Sequence, residues 1–92
     1  MNLRFYIDPV TGRPHVENHG IKTTEAVEVL ERAGQDYMGR DGVRIALGST
    51  VAGRYLKVIY RPDDVPDSLF VITAYPLRGN ELKAYRRRIR RK

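Results

Sequence analysis

The stretch that decides the fold is VRIALGSTVAGRYLKVIYRPDDVPDSLFVITAY, residues 43–75. It contains three strand-like runs, at 43–48, 54–60 and 69–75, which are rich in β-branched and aromatic residues. A five-residue segment that includes Gly53 joins the first two runs, and a loop rich in proline and aspartate joins the second and third. Connections this short favour an antiparallel meander. The third run is apolar on both alternations, which predicts an inner strand covered on both faces.

The segment before this stretch predicts one strand and one helix. Residues 3–7 (LRFYI) alternate and are closed by Asp8-Pro9, so they predict a first strand followed by a turn. Apolar residues at helical spacing between Thr24 and Gly34 predict a helix over about 24–33, with Gly34 as its stop. We expect residues 36–42 to form a loop.

After the meander, Asn80 is a suitable cap for a last helix over about 81–91. Leu82, Tyr85 and Ile89 recur at helical spacing, and the other positions are nearly all basic. The predicted fold is a single α+β domain over residues 1–92, built on a small antiparallel sheet in β-α-β-β-β-α order.

The charge of the chain is concentrated at one end. The 92 residues carry 17 Lys plus Arg and 11 Asp plus Glu, a formal charge of +6. Residues 78–92 hold eight basic side chains and one acidic one, whereas residues 1–77 hold nine and ten. The body is therefore close to neutral, and the positive charge belongs to the last helix.

Composition excludes several classes of protein. With 41% hydrophobic residues the chain is too apolar to be fully disordered. It has no cysteine, so disulfide frameworks, thiolate zinc sites and cysteine nucleophiles are excluded. No apolar run is long enough for a transmembrane helix or the core of a signal peptide, so we expect a cytoplasmic protein without a membrane partner.

The last helix carries the strongest functional signal. Like charges at i, i+4 spacing repel each other by about 0.2–0.5 kcal/mol per pair. Lys83 with Arg87 and Arg86 with Arg90 are two such pairs. Such a helix suits a polyanion, because the guanidinium fork matches phosphate. A contact with nucleic acid or with an acidic protein partner is the favoured interpretation, and a solvated tail is the alternative.

Tyrosines accompany these charges. Tyr55, Tyr60, Tyr75 and Tyr85 lie on or beside the predicted strands and last helix, in the neighbourhood of arginines. Aromatic rings beside phosphate-binding arginines are typical of proteins that bind single-stranded RNA. Tyrosines also populate strands for packing reasons alone, and that alternative stays open for each of them.

Two histidines stand four residues apart. On a helix, His15 and His19 would share one side and suggest a metal pair, but no third ligand has supporting spacing, so we predict no metal site. Either imidazole is suited to acid–base chemistry, but for His19 a structural role, such as closing the turn before the helix, is the favoured interpretation.

A pair of arginines flanks the predicted hairpin. Arg44 should point away from the face that carries Val43, Ile45 and Leu47, and Arg54 begins the next strand. We expect the hairpin to bring the two arginines together, where they would hold a phosphodiester and stabilise a pentacoordinate transition state. Cross-strand surface charge is the alternative.

Three short segments resemble a known family. HGI at 19–21, GVRIALG at 42–48 and FVITAYPLRGNELKAYRRR at 70–88 are similar to the BrnT toxins of bacterial type II toxin–antitoxin pairs. The chain departs from that family in its YIDPVTGRPH opening at 6–15 and in its heavier arginine run. It also resembles a group of small bacterial proteins that carry GRYLKVIY and VITAYP.

The resemblance implies a RelE-like fold and a cofactor-free, metal-independent endoribonuclease that inhibits translation. It implies a cognate antitoxin as partner, RNA as substrate, free or on the ribosome, and operator DNA as a target of the toxin–antitoxin complex. The family motifs carried over by position, together with the charge and tyrosine placement, give two expected sets. The catalytic set is Arg44, Arg78, Tyr85, Arg86 and His19. The RNA-binding set is Arg54, Tyr60, Tyr75, Lys83, Arg87 and Arg90.

The expected reaction is attack of a ribose 2′-hydroxyl on the adjacent phosphorus, with arginines holding the phosphate and a Tyr or His moving protons. Two other classes remain open. One is a non-catalytic RNA- or ribosome-binding protein, for which the same side chains suffice. The other is a module that docks an acidic protein against its basic helix.

Overall fold

The computed structural model describes residues 2–90. The elements follow one another in this order: β1 (Asn2–Phe5), a 3-10 helix (His15–His19), α1 (Thr23–Glu31), β2 (Gln35–Met38), a second 3-10 helix (Arg40–Gly42), β3 (Arg44–Ser49), β4 (Tyr55–Pro62), β5 (Ser68–Pro76) and α2 (Gly79–Arg90). The predicted α+β class is confirmed. The last helix begins two residues before its predicted start, and Arg91 of its predicted range lies outside the described residues.

The five strands form one mixed sheet in the order β1-β5-β4-β3-β2. The meander is confirmed, since β3 pairs antiparallel with β4, and β4 with β5. The prediction of a purely antiparallel sheet is wrong, because β1 lies parallel to β5, with Leu3 opposite Leu69. A parallel neighbour needs a long crossover, and here the 3-10 helix, α1 and the meander together provide it.

Strand β2 lies where the sequence predicted a loop. It pairs antiparallel with β3, with Gln35 opposite Leu47 and Met38 opposite Arg44. Its four residues show little burial and no apolar alternation. The predicted β-α-β-β-β-α order therefore lacks one strand. The sequence pattern did not reveal β2 because this strand has no apolar face and is held at the sheet edge by its pairing with β3.

One face of the sheet is sealed by α1. The alternation of β4 places Leu56, Val58 and Tyr60 on that face, where they pack with Ala26 and Val29 of the helix. β5 lies between β1 and β4, so its predicted inner position is confirmed. A β-bulge interrupts the pairing of β4 with β5 next to Ile59.

The other face is only partly covered, by α2. Leu82, Tyr85 and Ile89 pack with Leu47 and Leu77, so the predicted apolar stripe of the helix is confirmed. Phe70 and Ile72 of β5 stay half-buried, which makes the expectation of a strand sealed on both sides wrong. Within residues 2–90, no helix has the length and apolar character needed to cross a membrane.

Candidate active site and nucleic-acid interface

Four cations form one flank of α2, which we call the basic flank: Lys83, Arg86, Arg87 and Arg90. They line a concavity of about 270 Å³. The helical repeat explains the grouping, because spacings of three and four residues bring side chains to one side. No carboxylate within residues 2–90 forms an ion pair with any of the four. The flank is thus a local excess of positive charge.

The two flanks of α2 contact different side chains of the sheet. On the basic flank, the guanidinium carbon of Arg86 lies 5.5 Å from the ring centre of Tyr55. On the opposite flank, Glu81 accepts a hydrogen bond from Lys57 at 3.1 Å, and Arg88 donates to Gln35 at 2.9 Å. The helix therefore separates the basic flank from the open part of the sheet.

Tyr85 does not belong to a solvent-facing catalytic set. Its side chain is 3% exposed and lies in the cluster between α2 and the sheet. Burial raises the pKa of its hydroxyl, and the neighbouring Tyr55 adds to that effect. A hydroxyl enclosed in this way has no open approach for a phosphodiester, so the structure favours a core role for Tyr85 over the expected catalytic one.

Tyr60 is likewise buried, at 5% exposure, and its hydroxyl donates to Asp36. Burial raises the pKa of Tyr60, and the bond to Asp36 raises it further. It packs in the core under α1 and presents no stacking surface, so the structure gives its expected RNA-binding role no support.

The hairpin does not bring Arg44 and Arg54 together. Arg44 lies opposite Tyr60 at one end of the β3–β4 pair, whereas Arg54 precedes Tyr55 at the other end. Arg44 donates to Asp36 at 2.9 Å, and this bond raises the pKa of the guanidinium. The prediction that Arg44 points away from Ile45 and Leu47 is confirmed, but its joint phosphate site with Arg54 is wrong.

Arg54 ties the β3–β4 turn to the start of α1. Its Nη1 donates to the carbonyl oxygen of Gly20 at 2.9 Å and to Glu25 at 3.2 Å. Arg78, also in the expected set, is exposed just before α2, and its carbonyl accepts the amide of Leu82. Neither arginine joins the basic flank.

The histidine cluster consists of His15, His19, Thr73 and Tyr75. The ring centres of His15 and His19 lie 5.3 Å apart, so the expectation that they share one side is confirmed. The ring of His19 lies 4.4 Å from that of Tyr75, and Nδ1 of His15 lies 3.0 Å from Oγ1 of Thr73. The 3-10 helix therefore brings two imidazoles to β5.

His19 closes the turn before α1, as one of its two expected roles required. Gly20 follows it in the left-handed conformation, with φ of 72°. The Nε2 atom of His19 is buried and has no hydrogen-bond partner among the described residues. Buried polar atoms without a partner are uncommon, so this one sets His19 apart from the other polar side chains of the described chain.

Lys57 lies next to the cluster and was missed by the sequence reasoning. It is the direct cross-strand neighbour of Tyr75, which places both side chains on the same face of the sheet. Charge counting does not find it, because its place depends on the pairing of β4 with β5, whose register shifts by one residue at the β-bulge next to Ile59. The cluster and Lys57 are one candidate active site, and the basic flank is a separate candidate interface.

Among residues 2–90, no three His, Cys, Asp or Glu side chains are placed to hold a metal ion. No family model, curated protein or solved structure matches this chain.

Proposed function

We propose that this protein binds RNA through the basic flank of α2 and acts as the toxin of a type II toxin–antitoxin pair. The observation that carries the RNA-binding proposal is the set of four cations that share one concavity without a carboxylate partner in the described chain. The cost of placing like charges on one helix is offset when phosphates lie between them.

The side chains of the flank suit RNA in particular. Three of the four are arginines, whose planar fork binds phosphate oxygens in pairs. Tyr55 lies beside Arg86 and is half-buried, so it offers part of a ring next to a phosphate-binding group. Stacking of a base on such a ring contributes about 1–3 kcal/mol.

The toxin part of the proposal is supported by the resemblance at 19–21, 42–48 and 70–88. In this proposal the fold is RelE-like, the protein is a cytoplasmic endoribonuclease, and cleavage of RNA inhibits translation. A cognate antitoxin neutralises it, and the two together bind operator DNA.

RNA binding is tested by replacing Arg86 and Arg87 with alanine and measuring the affinity for a labelled oligouridylate at several salt concentrations. For every phosphate that the variant no longer neutralises, the salt slope should fall by about 0.7 on a single strand. Arg32→Ala is the matched control, because Arg32 is an exposed arginine at the end of α1, on the other side of the sheet. Equal salt slopes for wild type, the Arg86 and Arg87 variant and Arg32→Ala would contradict RNA binding through the basic flank.

The toxin assignment is tested in cells. Induced expression should arrest growth, and co-expression of the neighbouring gene should relieve the arrest. Growth without arrest, combined with normal RNA binding, would leave a non-catalytic RNA-binding protein. If the Arg86 and Arg87 variant instead loses a protein partner and no RNA affinity, the basic flank is a docking surface for an acidic protein.

A further inference from the structure

We propose that the sheet face beside the histidine cluster is a phosphodiester-cleaving centre in which His15 is the general base, Tyr75 the general acid and Lys57 the phosphate-binding cation. The inference deepens the proposed function and rests on it. It replaces four of the five residues of the expected catalytic set, because Tyr85 lies in the core, Arg44 in an ion pair, and Arg78 and Arg86 on other surfaces. His19 stays at the centre in a different role.

The strand register brings these groups together. Thr73 and Tyr75 are two residues apart on β5 and therefore point to the same side of the sheet. Lys57 is paired with Tyr75, and Ile59 with Thr73, on the neighbouring strand. The alternate residues of β4 are buried under α1, so Lys57 and Ile59 lie on the opposite, partly open face.

His15 is oriented for the role of a base. Its Nδ1 lies 3.0 Å from Oγ1 of Thr73, a side chain that is itself buried. When Nδ1 carries the proton and donates to this oxygen, Nε2 keeps its lone pair. Nε2 is then the acceptor nitrogen of the half-buried ring, and the contact with Thr73 holds the ring in place.

Tyr75 supplies the acid. It is 38% exposed, in contrast to the buried Tyr60 and Tyr85, so its side chain is accessible from solvent. The ring of His19 packs against it at 4.4 Å. Because Nε2 of His19 is buried, this nitrogen is not placed to exchange protons with RNA, and we assign His19 as a positioning residue for Tyr75.

Lys57 supplies the positive charge. Its Nζ lies 3.1 Å from Oε2 of Glu81, at the start of α2. The side chain of Glu81 is about half-exposed, so it is easily displaced. A phosphate would replace one anionic partner of the ammonium group by another, without leaving the charge unpaired.

The reaction conserves atoms and charge. His15 removes the proton of a ribose 2′-hydroxyl, and the 2′-oxygen forms a bond to the adjacent phosphorus. The bond from phosphorus to the 5′-oxygen breaks, and Tyr75 gives its proton to that oxygen. Lys57 binds the non-bridging oxygens, on which negative charge grows in the transition state. The products are a 2′,3′-cyclic phosphate and a free 5′-hydroxyl.

The experiment compares cleavage by wild type, His15→Ala, Tyr75→Phe and Lys57→Ala, on free RNA and on translating ribosomes. Each change should reduce the single-turnover rate about 10²–10⁴-fold, the usual contribution of one positioned group. Tyr37→Phe is the matched control, because Tyr37 is also a strand tyrosine and is 42% exposed. This variant should cleave RNA at the wild-type rate. Added imidazole should restore part of the rate of His15→Ala, which loss of a purely structural role would not allow.

The outcomes separate this inference from the proposed function. If wild type binds RNA with the salt slope described above but cleaves neither substrate, the centre and the endoribonuclease part of the proposed function are both wrong, and RNA binding stands. If wild type cleaves RNA but the variants cleave at its rate, only the centre is wrong. If the His15 and Tyr75 variants cleave at the wild-type rate, or the product lacks a 2′,3′-cyclic phosphate, the assignment is also overturned. If wild type does not bind RNA, both proposals fail.

Discussion

The hydroxyl of Tyr60 donates a hydrogen bond to Asp36, and this bond connects the edge strand β2 to β4 across the intervening β3. The same carboxylate accepts Nε of Arg44 at 2.9 Å. Asp36 thus joins side chains from two other strands on the face that α1 covers. A four-residue edge strand with little apolar burial depends on contacts of this kind.

Tyr60→Phe should lower the free energy of unfolding by about 1–2 kcal/mol, because it removes one bond to a charged acceptor that keeps a second partner. Asp36→Asn should cost at least as much, since it weakens the bonds to both Tyr60 and Arg44. Chemical denaturation measures both changes. Tyr37→Phe, on the same strand but with an exposed ring, should leave stability nearly unchanged. A Tyr60→Phe protein as stable as wild type would show that β2 is held by its backbone pairing alone.

Gly34 and Tyr85 should be strongly coupled. A Cβ on Gly34 would collide with the Tyr85 hydroxyl oxygen and lie 3.0 Å from Cζ of the same ring. Gly34→Ala should therefore destabilise the fold by about 1–3 kcal/mol, as overpacking does.

Tyr85→Phe removes the oxygen that collides and should relieve most of that cost in the double variant. The measurement is a double-mutant cycle by denaturation, and additive costs would contradict the close contact. The single variant Tyr85→Phe should retain RNA cleavage, since the hydroxyl is buried. A large loss of cleavage there would return Tyr85 to the catalytic set.

The fold was largely predictable wherever the determining information is local. Alternation and short loops identify β3, β4 and β5, and apolar spacing identifies both helices. The parallel pairing of β1 with β5 joins residues 2–5 to residues 68–71, and no sequence pattern in either segment indicates that the two pair. β2 was missed for a related reason, because a polar edge strand is specified by its neighbour.

The candidate site was predictable in part. Charge and helical spacing identify the basic flank, and the proximity of His15 to His19 follows from their spacing in the chain. Tyr85 was assigned to catalysis although its place on the apolar stripe with Leu82 and Ile89 indicates burial. Arg44 and Arg54 were paired because both flank a hairpin, whereas the register puts them at opposite ends. Lys57 acquires a role only when its cross-strand neighbour is known.

Cleavage should continue in the presence of EDTA. The proposed centre moves protons with His15 and Tyr75 and stabilises charge with Lys57, so no step uses a metal ion. Single-turnover rates with EDTA and with added Mg²⁺ should agree once ionic strength is matched, because salt alone weakens RNA binding. Activity that disappears in EDTA and returns with Mg²⁺ would contradict the mechanism.

Acid should remove a contribution to stability that comes from Asp63. Arg4 donates two hydrogen bonds to this carboxylate, at 2.6 and 2.8 Å, and Ser68 donates a third at 2.9 Å. The bond from Arg4 is the main cause that holds the pKa of Asp63 well below its usual range. Because the folded state has the lower pKa, the stabilisation is fully present above the ordinary value of about 4 and is lost as pH falls through the folded pKa.

Asp63→Asn should therefore unfold more easily than wild type at pH 7, and the difference should shrink below about pH 4. The control is Asp64→Asn, which replaces the exposed neighbouring carboxylate and should have little effect at either pH. A difference between wild type and Asp63→Asn that stays constant with pH would show that the ion pair does not contribute in this way.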